Sequence, residues 1–127
     1  DYIVDDISGI SEKIAVVSPW FSNVPCNSGV DGTFLTNKVI KNARNYLNEK
    51  GKLFFPVISL SNTNKIVQCA KNHFNKIELV SSNDWFLPED LYKYSGMLNK
   101  LRDQKNINFE EKFGKIICKT DIYMAYN

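Results

Sequence analysis

The chain reads as an α/β protein on a mostly parallel sheet, with an antiparallel strand pair at its C-terminal end and helices on its faces. Three observations predict this. Short apolar runs alternate with stretches of helical periodicity through the first two thirds of the sequence. The connections between them are only a few residues long, as in strand–helix–strand units with right-handed crossovers. After Gln104 the alternation gives way to two strand-like runs on either side of Gly114, the pattern of a hairpin.

The elements follow in order. Tyr2-Ile3-Val4 is a short apolar piece, after which Asp5, Asp6, Ser8 and Gly9 turn the chain polar. Ile14 to Ser18 is expected to be a central strand, because no charge interrupts Ile14-Ala15-Val16-Val17, and Pro19 ends its ladder. Trp20 to Val30, with Pro25, Gly29 and several Ser and Asn residues, reads as a loop. Asp31 can cap a helix running to about Glu49, with Phe34, Leu35, Val39, Ala43, Tyr46 and Leu47 at helical spacing. Gly51 suits a left-handed stop.

Leu53 to Leu60 is a strongly apolar strand interrupted by Pro56, where a bulge or a local edge is expected. Ser61 or Asn62 starts a second helix with Ile66, Val67, Ala70 and Phe74 inward. Ile77 to Val80 returns as a strand, and Trp85-Phe86-Leu87-Pro88 leads as an apolar loop into a helix over Glu89–Gln104. Leu91, Tyr94, Leu98 and Leu101 share one face of that helix. Ile107–Phe113 and Lys115–Tyr126 are the final strand pair, placed at the sheet's end.

A chain of 127 residues is a natural single domain. Hydrophobic residues make up 43% and charged residues 24%, which excludes the disordered and fibrous classes. Sixteen Lys and Arg face fourteen Asp and Glu, a net charge of +2, so no basic block argues for nucleic acid. Cys26, Cys69 and Cys118 are odd in number and widely spaced, and His73 stands alone. That spacing disfavours a disulfide scaffold or a structural zinc site. No apolar run reaches the roughly 20 residues that cross a bilayer, and a cytoplasmic protein is the expectation.

Ser18-Pro19-Trp20-Phe21 is the stretch from which chemistry is expected, because ligands of open α/β sheets sit at strand ends. Proline holds neighbouring carbonyls still, Trp20 and Phe21 offer planar faces, and Ser18 offers a hydroxyl. The same residues serve equally as a plug over the core. Asp5, Asp6, Asp31, Asp84 and Glu89 read as caps or solvated turns, and His73 as a helix-end residue. Cys26 has no histidine near it in sequence to activate it.

Val16-Val17-Ser18-Pro19-Trp20-Phe21, Ser28-Gly29-Val30-Asp31-Gly32 and the helix to Leu47 resemble the later half of a class I methyltransferase using S-adenosyl-L-methionine. The resemblance is to the small-domain group, which includes ribosomal RNA guanine N2- and release-factor glutamine methyltransferases. It covers residues 14–80, with Gly51-Lys52-Leu53-Phe54-Phe55-Pro56 as the next strand. It implies an incomplete Rossmann-like sheet, residues 1–127 forming one partial domain that lacks the N-terminal cofactor-binding half.

Carried over, Ser18 takes the polar role at the acceptor amine, the Pro19 carbonyl accepts from it, Phe21 stacks on it and Trp20 helps bind substrate. The usual motif has Asn or Asp where Ser18 stands and a second proline at Trp20. The substrate implied is an RNA base or a protein amide nitrogen. Alone, such a half would bind no cofactor tightly and turn nothing over. Lys38, Lys41 and Arg44 would face RNA, or simply water. The competing expectation is an interaction module without catalysis, completed by a missing half or by a partner chain along an uncovered strand.

Overall fold

A computed structural model describes residues 1–7, 9–22 and 24–127. The polar turn expected through Ser8 and the loop through Asn23 each include one residue outside that description. The elements are β1 (Tyr2–Val4), α1 (Glu12–Ala15), a 3₁₀ turn (Pro19–Phe21), α2 (Phe34–Ala43), β2 (Lys52–Ile58), α3 (Thr63–His73) and β3 (Lys76–Phe86). A second 3₁₀ turn (Glu89–Tyr94), α4 (Ser95–Asp103), β4 (Glu110–Lys112) and β5 (Lys115–Tyr126) complete the chain.

The sheet is mixed and mostly antiparallel, in the order β1-β2-β5-β3 with β4 paired to β5. This corrects the expected parallel, Rossmann-like sheet. Only β1 and β2 pair in parallel. β2 and β3 run in the same direction, as the strand–helix–strand pattern implies, but they never touch: β5 lies between them, antiparallel to both. The last strand is therefore interior and not at the sheet's end. It suits that interior slot because it is apolar on both faces, with Ile116 and Cys118 in one core and Ala125 in the other. The hairpin itself stands as read, turning through Phe113 (φ 53°) and Gly114 (φ 72°).

The largest local correction is at Ile14 to Ser18. That segment is the helix α1 and its closing turn, and no strand forms there. Ser11 precedes it, Glu12 sits in its first turn, and Ile10, Ile14 and Ala15 are buried while Val16 is 80% exposed. Burial thus follows the helical period; a short apolar run is compatible with either element, and tertiary contact chose. Just before the run the Ser11 amide donates to the Leu60 carbonyl at 2.8 Å, past the end of β2, and Ile14 and Ala15 pack in one core with Ile116 and Cys118 of the sheet.

Other differences are smaller. α2 begins at Phe34 and ends at Ala43, and Phe34 and Tyr46 point to solvent, not inward. Asp31 stands two residues before the N-cap Thr33 and accepts from its amide and hydroxyl at 3.1 and 2.7 Å. Gly51 is not left-handed; a Cβ there would fall 2.8 Å from Leu47, so close approach is what it permits. β3 runs on through Trp85 and Phe86, and the helix expected over Glu89–Gln104 is divided into a 3₁₀ turn and α4.

Pro56 does mark a local edge. Lys52 donates to Asp1 and Phe54 accepts from Asp5, so alternate residues of β2 face β1. By that alternation the Pro56 nitrogen faces the same side, past the end of β1 at Val4, where no ladder donor is needed. Asn62 caps α3, accepting from the Lys65 amide at 3.2 Å.

Two cores flank the sheet. On one face Leu53, Phe55 and Val57 of β2 and Ala125 of β5 pack under Ile40 and Ala43 of α2 and Ile66 and Ala70 of α3. On the other, Ile116, Cys118, Ile58 and Trp85 pack with Leu87, Leu91, Leu98 and Leu101 and with Ile10 and Ile14. The second core covers only the end of its face nearest Trp85.

Candidate functional site

The residues expected to carry methyl transfer do not stand at a strand end. Ser18 is buried, and its hydroxyl donates to the Ala15 carbonyl at 2.9 Å, closing the turn after α1. The Pro19 carbonyl accepts from the Ser22 hydroxyl at 3.1 Å. Both groups named to grip an amine are thus engaged inside the loop. The residues do not fit S-adenosyl-L-methionine chemistry at this position. Arg44, named for RNA, hydrogen-bonds to the carbonyls of Leu47 and Asn48, each at 3.4 Å.

Trp20 and Phe21 are brought together with residues distant in sequence. With Ile10, Ile58 and Trp85 they line an apolar hollow of about 230 Å³. Trp20 meets Trp85 edge-to-face. The Trp85 indole N–H donates to the Thr120 hydroxyl at 2.9 Å, which satisfies its polar atom and fixes its ring on the sheet. This hollow sits at the boundary between the covered and the uncovered parts of the second face.

Beyond it the sheet is bare. Register places Val4, Phe54 and Met124 in one row that ends on Glu78 of β3, and Pro56 and Ile122 in the next, which ends on Ser81, all on the face away from α2 and α3, with Phe54, Pro56, Ile122 and Met124 half-buried. None of them belongs to either core, whereas Leu53, Phe55 and Val57, their neighbours on β2, are fully covered. Val4 is 73% and Tyr2 71% exposed. At the far end Lys52 and Lys76 both reach the Tyr126 ring, with ammonium-to-centroid distances of 5.4 and 5.7 Å. An apolar floor is therefore bounded by an aromatic hollow at one end and, at the other, by Lys52 and Lys76 with Glu78, whose carboxylate accepts from the Tyr126 hydroxyl.

Sequence reasoning missed this surface because the continuous apolar runs Leu53–Ile58 and Ile122–Ala125 match strands buried on both faces. A continuous apolar run does not say whether anything packs on its second side.

Among the described residues, no group of three or more His, Cys, Asp or Glu side chains is placed to hold a metal ion, and no helix is long and apolar enough to cross a membrane. Burial pushes the Cys118 thiol up to about 12 despite the nearby Ser59 hydroxyl, and it raises Cys69 as well, so both are held as thiols. Comparison with protein-family models, curated proteins and solved structures finds no match.

Proposed function

We propose that the chain is a partner-binding module whose binding surface is the bare half of the sheet, and that the partner contributes an amphipathic helix carrying acidic residues at one end. The observation that carries this is the row of apolar side chains Val4, Phe54 and Met124 beside Pro56 and Ile122, in register and outside both cores. A sheet with one face packed and the other apolar and open is an unfinished layer, and such patches are interaction sites more often than accidents.

The dimensions suit one helix. Three rows along β2, from Pro56 to Lys52, extend about 14 Å, which about ten helical residues span. Charge sets the direction: Lys52 and Lys76 favour carboxylates at the end lying over Tyr126, while the hollow of Trp20 and Trp85 takes a large apolar anchor at the other. The surface is the sheet's face; the edge strand β3 carries a bulge at Val80 and the charges Lys76, Glu78 and Asp84, which discourage strand addition.

The test uses a helical peptide with a leucine face and glutamates at one end, titrated by fluorescence anisotropy against the full chain. Saturable binding is expected, lost in Met124→Glu with little change in melting temperature and weakened in Lys52→Glu. If Met124→Glu unfolds the protein, the face is internal and the proposal is wrong. If the chain sediments as a dimer that Met124→Glu separates, a second copy is the occupant and the helix reading fails.

A further inference from the structure

The opposite face holds a second, independent site. Where α3 begins, β2 has ended and the floor of the sheet is left free, forming a groove of about 290 Å³. We infer that this groove binds a small zwitterion of the α-amino-acid class. Its floor is Lys119, Asp121 and Tyr123, alternate residues of β5 on the α3 side, and its walls include Asp84, Asn64 and Asn108.

The side chains are held in place by neighbours that leave their charges free. Ser82, directly opposite Asp121, donates to its carboxylate at 2.5 Å. Tyr123 lies stacked on Phe55, centroids 5.8 Å apart and planes 18° from parallel, and burial followed by the Asp121 charge raises its phenol so that it stays neutral. The Asn108 wall is tied down by its amide, which donates to the Ser59 carbonyl at 2.7 Å. Lys119 and Asp84 stand directly opposite each other in register, yet neither forms an ion pair within 4.0 Å among the described residues.

Opposed charges that do not meet select the ligand. A simple amine would answer Asp84 and Asp121 but face Lys119 unpaired. A simple carboxylate would answer Lys119 and meet three like charges, since Glu110 lines the groove with Asp84 and Asp121. A molecule carrying ammonium and carboxylate on one carbon answers both, with the Asn64 and Asn108 amides to orient it.

Isothermal titration of the full chain with the twenty common L-α-amino acids, and with n-propylamine and propionate as half-ligands, tests this. At least one amino acid is expected to bind saturably, and each half-ligand at least about tenfold more weakly. Asp84→Asn and Lys119→Gln should each weaken binding about tenfold, with Lys93→Gln, remote from the groove, as the charge control. Binding of no amino acid, equal binding of a half-ligand, or unchanged affinity in both groove variants would overturn it. The peptide experiment on the other face is unaffected by any of these results, so the two proposals fail separately.

Discussion

Trp20 and Trp85 meet edge-to-face, with ring centroids 5.8 Å apart and planes inclined at 72°. Sixty-five residues apart in sequence, they join the loop after α1 to the sheet and define where the bare face begins. They are also the protein's two tryptophans, so its indole fluorescence reports this contact alone.

Replacing Trp85 by Phe keeps a ring on the sheet but removes the indole N–H that bonds Thr120. A loss of about 1–2 kcal/mol is expected, combining one hydrogen bond with part of the aromatic pairing. Urea unfolding followed by circular dichroism measures it. Trp20→Ala, at a half-exposed position, should cost less and shift the emission of the remaining indole to the red. A Trp85→Phe loss smaller than that of Trp20→Ala would show that the Thr120 bond contributes nothing.

Asp5 gives the fold a pH signature. Burial raises its carboxyl above the ordinary value of 3.8, the Ile7 amide bonded to Oδ1 at 2.8 Å partly offsets this, and Asp6 adds to the rise; Oδ2 has no partner among the described residues. The folded state therefore holds this proton to higher pH than the unfolded chain does. Stability from this group is full below pH 3.8 and falls as pH rises through the folded value. Asp5→Asn should accordingly melt higher than the parent at pH 7, and the advantage should vanish below pH 3.8. An equal gain at both pH values would exclude titration of Asp5 as the cause.

Gly32 is the position where a methyl group would do most harm. Its φ is +70°, and a Cβ there would lie 2.5 Å from the Ile10 carbonyl carbon, 2.7 Å from the Ser11 nitrogen and 2.9 Å from the Ser61 Cβ. Two of those three atoms are backbone and cannot give way. Gly32→Ala should cost more than about 3 kcal/mol, combining left-handed strain with displacement of the Ile10–Ser11 segment from β2. Gly96→Ala, with open space around it, is the control and should be neutral or slightly stabilising. Thermal melts of the two variants decide, and equal midpoints would contradict the packing described at Gly32.

Much of the local structure was legible in the amino-acid order. Asn62 before a helical period, Pro56 within an apolar strand and Gly114 between two strand-like runs each signal a feature that the backbone adopts. These are local effects: a cap, a missing donor, a permitted left-handed turn. The Ile14–Val17 run was not legible in the same way, because four apolar residues satisfy a buried strand and a short helix equally. Trp20 and Phe21, singled out for their planar faces, line a hollow with Ile10, Ile58 and Trp85, while Ser18 and Pro19 beside them are engaged within their own loop.

What the residues settle unaided is part of the inventory: the strands that become β2 and β3 with α3 between them, and a C-terminal hairpin, whereas the strand expected at Ile14–Ser18 is helical and β1 takes its place beside β2. Only the folded chain decides that the hairpin's long strand inserts between β2 and β3 and leaves part of one face bare. The reason is range. Caps, prolines and turns act through the few bonds nearest them, whereas strand order and face coverage come from side chains such as Leu53 and Ala125, seventy-two positions apart, competing for the same buried volume.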